Sequence, residues 1–434
     1  MDRNRKAAYQ TLMRVVKDQA YANIEVGRQI ERCQADAPAF VRELVYGTEK
    51  HWLYLDYLLK QLVSRGYGKL KPQVSVLLHM GAYQILFMDS VPDYAAVNGC
   101  TETASAVCRP QKGFINAVLR NLIRKKETLK QPEEEKDPAA ALSARYSADP
   151  WIVRLWISQR GETEAASILR AQMETPPLYA AVNTLRTDAE TLRRALEEKG
   201  FSVCKTDVSG ISDSLPMLAV KGSGLMDTEE FRSGLFYVQD PASAAAVSSL
   251  APGAGETVID VCGAPGGKSM AAAILMQDRG TVMTFDYYEQ KLRLVKSQAE
   301  RLGISCITAE KRDALSGPGR WKEQADAVIC DVPCTGLGVL RRKPEIRYRK
   351  LEDDGKALAE KQYEILQRSS ELVKPGGRIM YSTCTVNRIE NEEVTEAFLR
   401  QKGSQFQKET ERQLLPGLDG TDGFYFCVMR RKTI

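Results

Sequence analysis

Histidine is almost absent: among 434 residues only His51 and His79 occur, both in the first fifth of the chain, and the ten cysteines form no C-x-x-C pair. No zinc-module spacing exists, so no metal is expected. The 355 residues beyond His79 lack the commonest general base, which excludes Ser-His and Cys-His arrangements there. No apolar run approaches the ~20 residues of a membrane span. The opening M-D-R-N-R-K-A-A-Y-Q lacks the apolar stretch of a secretory signal. A cytoplasmic protein with reduced cysteines and no membrane partner is therefore expected. Excess charge of one sign is also scarce overall, at +5, but it is uneven: residues 1–130 hold 20 Lys+Arg against 12 Asp+Glu, leaving −3 for the rest. A basic module joined to a near-neutral one suits a nucleic-acid-binding part beside an enzyme, although a solvated basic surface has the same composition.

At roughly 150 residues per domain the length suggests three. From Arg3 to about Lys130 apolar residues recur at spacings of three and four, as in Val74, Leu77, Leu78, Ala82, Ile85 and Leu86, which predicts an all-helical domain over 1–135. The apolar-free run Q-P-E-E-E-K-D marks its end. Residues 140–235 read as a helical and small α/β module, with one clear helix between Asp188 and Lys199. Over 236–434 buried-strand runs (Thr257 to Val261, Thr281 to Phe285, Ala327 to Cys330) alternate with amphipathic helices, the rhythm of an α/β, doubly wound, Rossmann-like domain. Ligands bind such sheets outside the carboxyl ends of the strands.

The first of these junctions, T-V-I-D-V-C-G-A-P-G-G-K-S, places Cys262, Gly263, Ala264, Pro265, Gly266, Gly267 and Lys268 between a strand and a helix amino terminus. Such a loop lets a carboxylate or phosphate approach backbone N–H groups. A nucleoside triphosphate is one fit, since G-K-S and the run ending at Asp331 resemble Walker elements. Cys262, however, stands where the loop's first glycine would fall, and Pro265 removes a donor. S-adenosylmethionine is the other fit: Asp286 ends the next strand, where a carboxylate accepts ribose hydroxyls, and Asp313 follows the third. Each acid alone reads as a helix cap; three strand-end acids behind a glycine loop favour the cofactor.

Two further junctions, I-C-D-V-P-C-T-G-L-G and R-I-M-Y-S-T-C-T-V-N, each place a cysteine just past a strand, Cys334 and Cys384. With C-G-A-P-G-G-K these motifs resemble the RNA cytosine-C5 methyltransferases. R-E-L-V-Y-G-T (42–48), A-A-V-N (95–98) and F-I-N-A-V-L-R-N (114–121) resemble the NusB-like RNA-binding domain. The combination, over nearly the whole chain, is that of the RsmB (Sun/Fmu) methyltransferases of bacterial 16S rRNA. The departures are Gly263 in place of alanine, Val332, and Thr385 in place of serine. The resemblance implies that Cys384 attacks C6 of cytosine, that Cys334 assists release and that Asp331 lies near cofactor and base. Sequence alone would not choose between the cysteines. The expected partner is 16S rRNA, as naked RNA or a small-subunit assembly intermediate, bound by a monomer. A nucleotide hydrolase and a non-catalytic RNA-binding assembly factor stand as rival readings.

Immediately after the P-C loop, residues 341–350 carry six basic residues against one acid. A basic run is usually a solvated face. Beside a nucleophile it suggests phosphate contacts from Arg341, Arg342, Lys343, Arg347 and Arg349, with Tyr348 stacking on a base.

Overall fold

A computed structural model describes residues 2–63, 66–133, 137–348 and 354–433. The chain divides into two compact units, residues 1–174 with 340–350, and 175–339 with 351–434. Residues 140–235 therefore fall in both units, the helical stretch up to Ala171 in the first and the strands, with the helix at Ala189–Glu198, in the second.

The first unit contains helices α1 (Arg3–Asp18), α2 (Ala22–Cys33), α3 (Pro38–Lys50), α4 (Trp52–Leu62), α5 (Pro72–Phe87), α6 (Asp93–Val107), α7 (Lys112–Lys125), α8 (Pro138–Tyr146), α9 (Pro150–Arg160) and α10 (Glu162–Ala171). Four of them begin with proline, whose missing N–H is not needed in the first turn. In α5 every residue from Val76 to Ile85 is buried, so this helix, apolar nearly all round, forms the centre of the bundle. No helix among the described residues is long and apolar enough to cross a membrane.

The second unit begins with β1 (Leu178–Val182), α11 (Ala189–Glu198), β2 (Ser202–Lys205), β3 (Met217–Lys221), α12 (Glu229–Arg232) and β4 (Phe236–Val238). Its four strands form an antiparallel sheet in the order β2-β3-β1-β4, covered by Leu192 and Leu196 of α11. There follow α13 (Pro241–Leu250), β5 (Thr257–Asp260), α14 (Gly267–Leu275), β6 (Thr281–Asp286), α15 (Glu289–Leu302), β7 (Ile307–Lys311), β8 (Ala325–Asp331), α16 (Asp354–Ser370), β9 (Val373–Thr383), α17 (Glu392–Lys402), β10 (Phe406–Leu414) and β11 (Phe424–Arg431).

These strands form one sheet in the order β10-β11-β9-β8-β5-β6-β7, parallel from β9 to β7, with β10 and β11 antiparallel at the edge. Alternate residues serve opposite faces: Val258 packs with α13, α14 and α15, and Ile259 joins the core that holds α16 and α17. Burial on both faces explains why the parallel strands read as continuous apolar runs. Because β5 pairs with β6 on one side and β8 on the other, the winding reverses there. A ligand crevice is expected beyond the carboxyl ends of β5 and β8.

Candidate active site

After β5 the chain makes the turn 261–266. The Gly263 N–H donates to the Phe285 carbonyl at 2.8 Å, and Gly266 adopts φ +110°, which a side chain would oppose. Gly266 caps α14 without a side-chain acceptor, leaving the first N–H groups of that helix available to an anion. Asp260, fully buried, accepts from Ser269 Oγ at 2.7 Å, and Thr284 Oγ1 donates to Ser269 at 2.8 Å. Burial pushes the Asp260 carboxyl up to about 7 despite that bond.

At the end of β6, one oxygen of Asp286 accepts the Tyr288 N–H at 2.9 Å, while no described residue donates to the other. Tyr287 and Tyr288 beside it are more than half exposed. Asp313, beyond β7, is exposed and accepts the Leu315 N–H at 3.0 Å. Uncapped helix N–H groups and a carboxylate oxygen to which no described residue donates are the groups that a carboxylate-bearing nucleoside such as S-adenosylmethionine uses, so the residues present fit it.

Lys268, on the first turn of α14, reaches the end of β8. Its Nζ lies 2.7 Å from Asp331 Oδ2 and 5.0 Å from the centre of the Phe424 ring, and Ser382 Oγ donates to Asp331 Oδ1 at 2.7 Å. Burial alone would lower the Lys268 ammonium, but the Asp331 carboxylate outweighs it and the net direction is upward. An ionised Cys384 also contributes to that rise, so the ammonium and a Cys384 thiolate attract each other.

The two cysteines meet. Cys334 Sγ and Cys384 Sγ are 3.3 Å apart, because β8 and β9 are neighbours in register, Asp331 opposite Ser382. The Gly338 N–H donates to the Cys384 carbonyl at 3.0 Å; a side chain at Gly338 would come within 2.0 Å of the Gly423 carbonyl oxygen. Cys334 is held well above the ordinary thiol value by its contact with Cys384, by burial and by the Glu390 charge. The two sulfurs therefore sit in unlike fields: a carboxylate bears on Cys334, and an ammonium attracts Cys384 when it is ionised.

Glu390, fully buried just before α17, joins the two loops. Its Oε2 accepts from the Thr335 N–H (2.8 Å) and Gln362 Nε2 (3.0 Å), and its Oε1 from Thr335 Oγ1 (2.5 Å) and Asn387 Nδ2 (3.1 Å). Thr335 Oγ1 also lies 3.0 Å from Thr385 Oγ1. Sequence reasoning missed Glu390 because it stands in the run E-N-E-E, which reads as acids favouring a helix amino terminus.

The structure thus brings Lys268, Asp331, Cys334 and Cys384 together, with the 262–267 turn, Asp286 and Asp313 along the same strand ends. The basic run behaves differently, since residues 340–350 belong to the first unit. Arg347, expected to contact phosphate, is fully buried and donates to the carbonyls of Tyr146 (2.8 Å) and Gln172 (2.6 Å). Tyr348, expected to stack on a base, donates its hydroxyl to the Glu49 carbonyl at 2.6 Å. Both side chains are internal ties: a guanidinium without exposed surface has no face for phosphate. Arg341 and Arg342 are half-buried, Lys343 is exposed, and Arg349 lies outside the described residues.

A doubly wound sheet of this order, with a glycine turn after its central strand and acids at the next strand ends, is a Rossmann-like cofactor-binding domain, and its likenesses make it a methyltransferase. Residues 247–430 match the family described as 16S rRNA methyltransferase RsmB/F, residues 2–124 the NusB family, and residues 149–212 the ferredoxin-like domain of RsmF/B-like methyltransferases. A relative from Bacillus subtilis (strain 168), named probable ribosomal RNA small subunit methyltransferase B, is 35% identical over 99% of this chain and 98% of its own. The ribosomal RNA small subunit methyltransferase B of Salmonella newport (strain SL254) is 30% identical over the same shares. A solved methyltransferase homolog protein from Pyrococcus horikoshii superposes with a TM-score of 0.60 at 26% identity, covering 68% of this chain and 99% of that one. The chain belongs to the ribosomal RNA small subunit methyltransferase B family.

Proposed function

We propose that this protein methylates C5 of a cytidine in 16S rRNA, using S-adenosylmethionine, with Cys384 as nucleophile. The observation that carries the reading is the pair of thiols 3.3 Å apart at the ends of adjacent strands, beside the Lys268–Asp331 pair. The α14 amino terminus would hold the cofactor's carboxylate, Asp286 its ribose and Asp313 its adenine. When bound, S-adenosylmethionine supplies an electrophilic methyl group.

The residues of the chain do the rest. Cytosine C5 is a poor nucleophile until a thiolate adds to C6. Lys268 favours that thiolate at Cys384. Asp331 accepts from the cytosine amino group. After methylation C5 carries both a proton and the new methyl group. Transfer of that proton to a water molecule, followed by breakage of the C6–S bond with its electron pair returning to Cys384, restores the aromatic ring and the free thiolate. Cys334, 3.3 Å from the departing sulfur, assists this release. A helical cytosine must leave its stack to be reached, so an unpaired one is the better substrate. The basic helical region and the exposed Lys343, with Arg341 and Arg342, supply phosphate contacts.

The test is transfer of label from tritiated S-adenosylmethionine to unmodified 16S rRNA, with 5-methylcytosine identified in the digest. Cys334→Ala is expected to accumulate a covalent protein–RNA adduct, and Cys384→Ala to lose both adduct and product. The reverse pattern would exchange the two roles, and label on another base or position would refute the chemistry.

A further inference from the structure

Four donors converge on one buried carboxylate. Glu390 accepts two hydrogen bonds on each oxygen, and they come from three elements: the P-C loop (Thr335), the loop after β9 (Asn387) and α16 (Gln362). Further contacts fix the orientation of both amides. The Gln362 oxygen lies 3.3 Å from Tyr381 Oη, and the Asn387 oxygen accepts the Ile389 N–H at 3.3 Å. Gln362 Nε2 also donates to the Pro333 carbonyl at 2.9 Å, the residue before Cys334, and Tyr381 OH donates to the Glu390 carbonyl at 2.6 Å. An amide at position 390, though of the same size, would set its NH2 against at least one N–H donor in either orientation. Only a carboxylate satisfies the set.

We propose that Glu390 is a positioning residue for methyl transfer, a buried anchor that clamps the Cys334 loop onto the Cys384 loop and so sets the distance between the two sulfurs. The proposal rests on the cytosine-C5 reading of the site. The backbone path supports it: Thr335 is the residue after Cys334, Thr385 the residue after Cys384, and their hydroxyls meet 3.0 Å apart on the Glu390 side. Holding one carboxylate therefore holds both cysteine-bearing turns. Its negative charge also bears on Cys334, helping to keep that sulfur a thiol.

Two readouts test this in the full-length protein. Diamide takes two hydrogens from neighbouring thiols to leave a disulfide, itself becoming the hydrazine, so the rate of Cys334–Cys384 disulfide formation, mapped by peptide analysis, reports the approach of the sulfurs without needing activity. Glu390→Gln is expected to slow it at least about tenfold and to lower kcat about 100-fold, the scale of an ångström's misplacement, with KM for S-adenosylmethionine and RNA within about threefold. A folded Glu390→Gln protein whose disulfide rate and kcat stay within twofold of the parent overturns the proposal; so does a loss confined to KM. If that variant does not fold, Thr335→Val removes one hydroxyl donor and keeps the carboxylate. A kcat reduced about fivefold supports the clamp, and an unchanged kcat overturns it. Should the parent protein fail to label RNA, the functional reading falls, and the disulfide rate still decides the role of Glu390.

Discussion

Asp260 and Glu390 are both fully buried carboxyl groups of the same unit, yet they are furnished in opposite ways. Asp260 ends β5 with one side-chain donor, Ser269, and one backbone donor, the Cys262 N–H, and rises to about 7. Glu390 takes four donors from three elements. Burial is common to both; the donor count is what differs. A carboxyl short of donors retains its proton into the neutral range, whereas one saturated with donors ties together the segments that supply them.

The largest way to break this contrast is Glu390→Leu, which strands four donors at ~1–3 kcal/mol each for a buried unsatisfied group. Urea unfolding should show a loss of about 4 kcal/mol or more; a loss under ~1 kcal/mol would mean the four bonds are dispensable.

The next effect is a pH dependence. Asp260 keeps its proton in the folded state up to about 7, while the unfolded chain loses it near 3.8. Its contribution to stability is therefore highest below pH ~4, declines as pH rises toward 7 and is flat above, with an upper bound of about 4 kcal/mol over that window. The stability difference between parent and Asp260→Asn, measured by urea unfolding from pH 5 to 8, should shrink or reverse as pH rises; a constant difference would show that Asp260 ionises normally.

Ser269→Ala sharpens the comparison further. It removes the side-chain donor of Asp260, so the loss should be about 2 kcal/mol at pH 8, where the bond is to a charged group, and about 1 kcal/mol at pH 5. Equal losses at the two pH values would remove the charge from the explanation. Thr284→Val, one bond further from the carboxyl, should cost least, about 1 kcal/mol with little pH dependence.

The sequence was most legible where chemistry sits next to periodic structure. The strand runs at 257, 281 and 327, and the residues after them, could be read because parallel strands buried on both faces leave continuous apolar signals and ligands collect at their ends. Gly266 and Lys268 were singled out for that reason. Glu390 was not, because its importance lies in donors contributed from residues 335, 362 and 387, which no local pattern connects. Arg347 failed in the opposite sense: a basic run suggests an exposed surface, but its guanidinium caps buried carbonyls of Tyr146 and Gln172. Charge was visible in the letters, and burial was not. The small antiparallel sheet fell between these cases, its α11 announced by Asp188 as amino cap while its strand order β2-β3-β1-β4 depends on pairings that local patterns do not rank.

The register of β8 with β9 has an evolutionary consequence. Asp331 pairs with Ser382, so the third residue beyond one and the second beyond the other carry sulfur to the same spot, although 50 positions separate them along the chain. The strand register brings the two loops to one place whatever role either sulfur has. If the proposed chemistry holds, a lineage could therefore move the nucleophile from one strand end to the other by exchanging the charges around the thiols, Lys268 toward Cys384 and Glu390 toward Cys334, without moving the backbone.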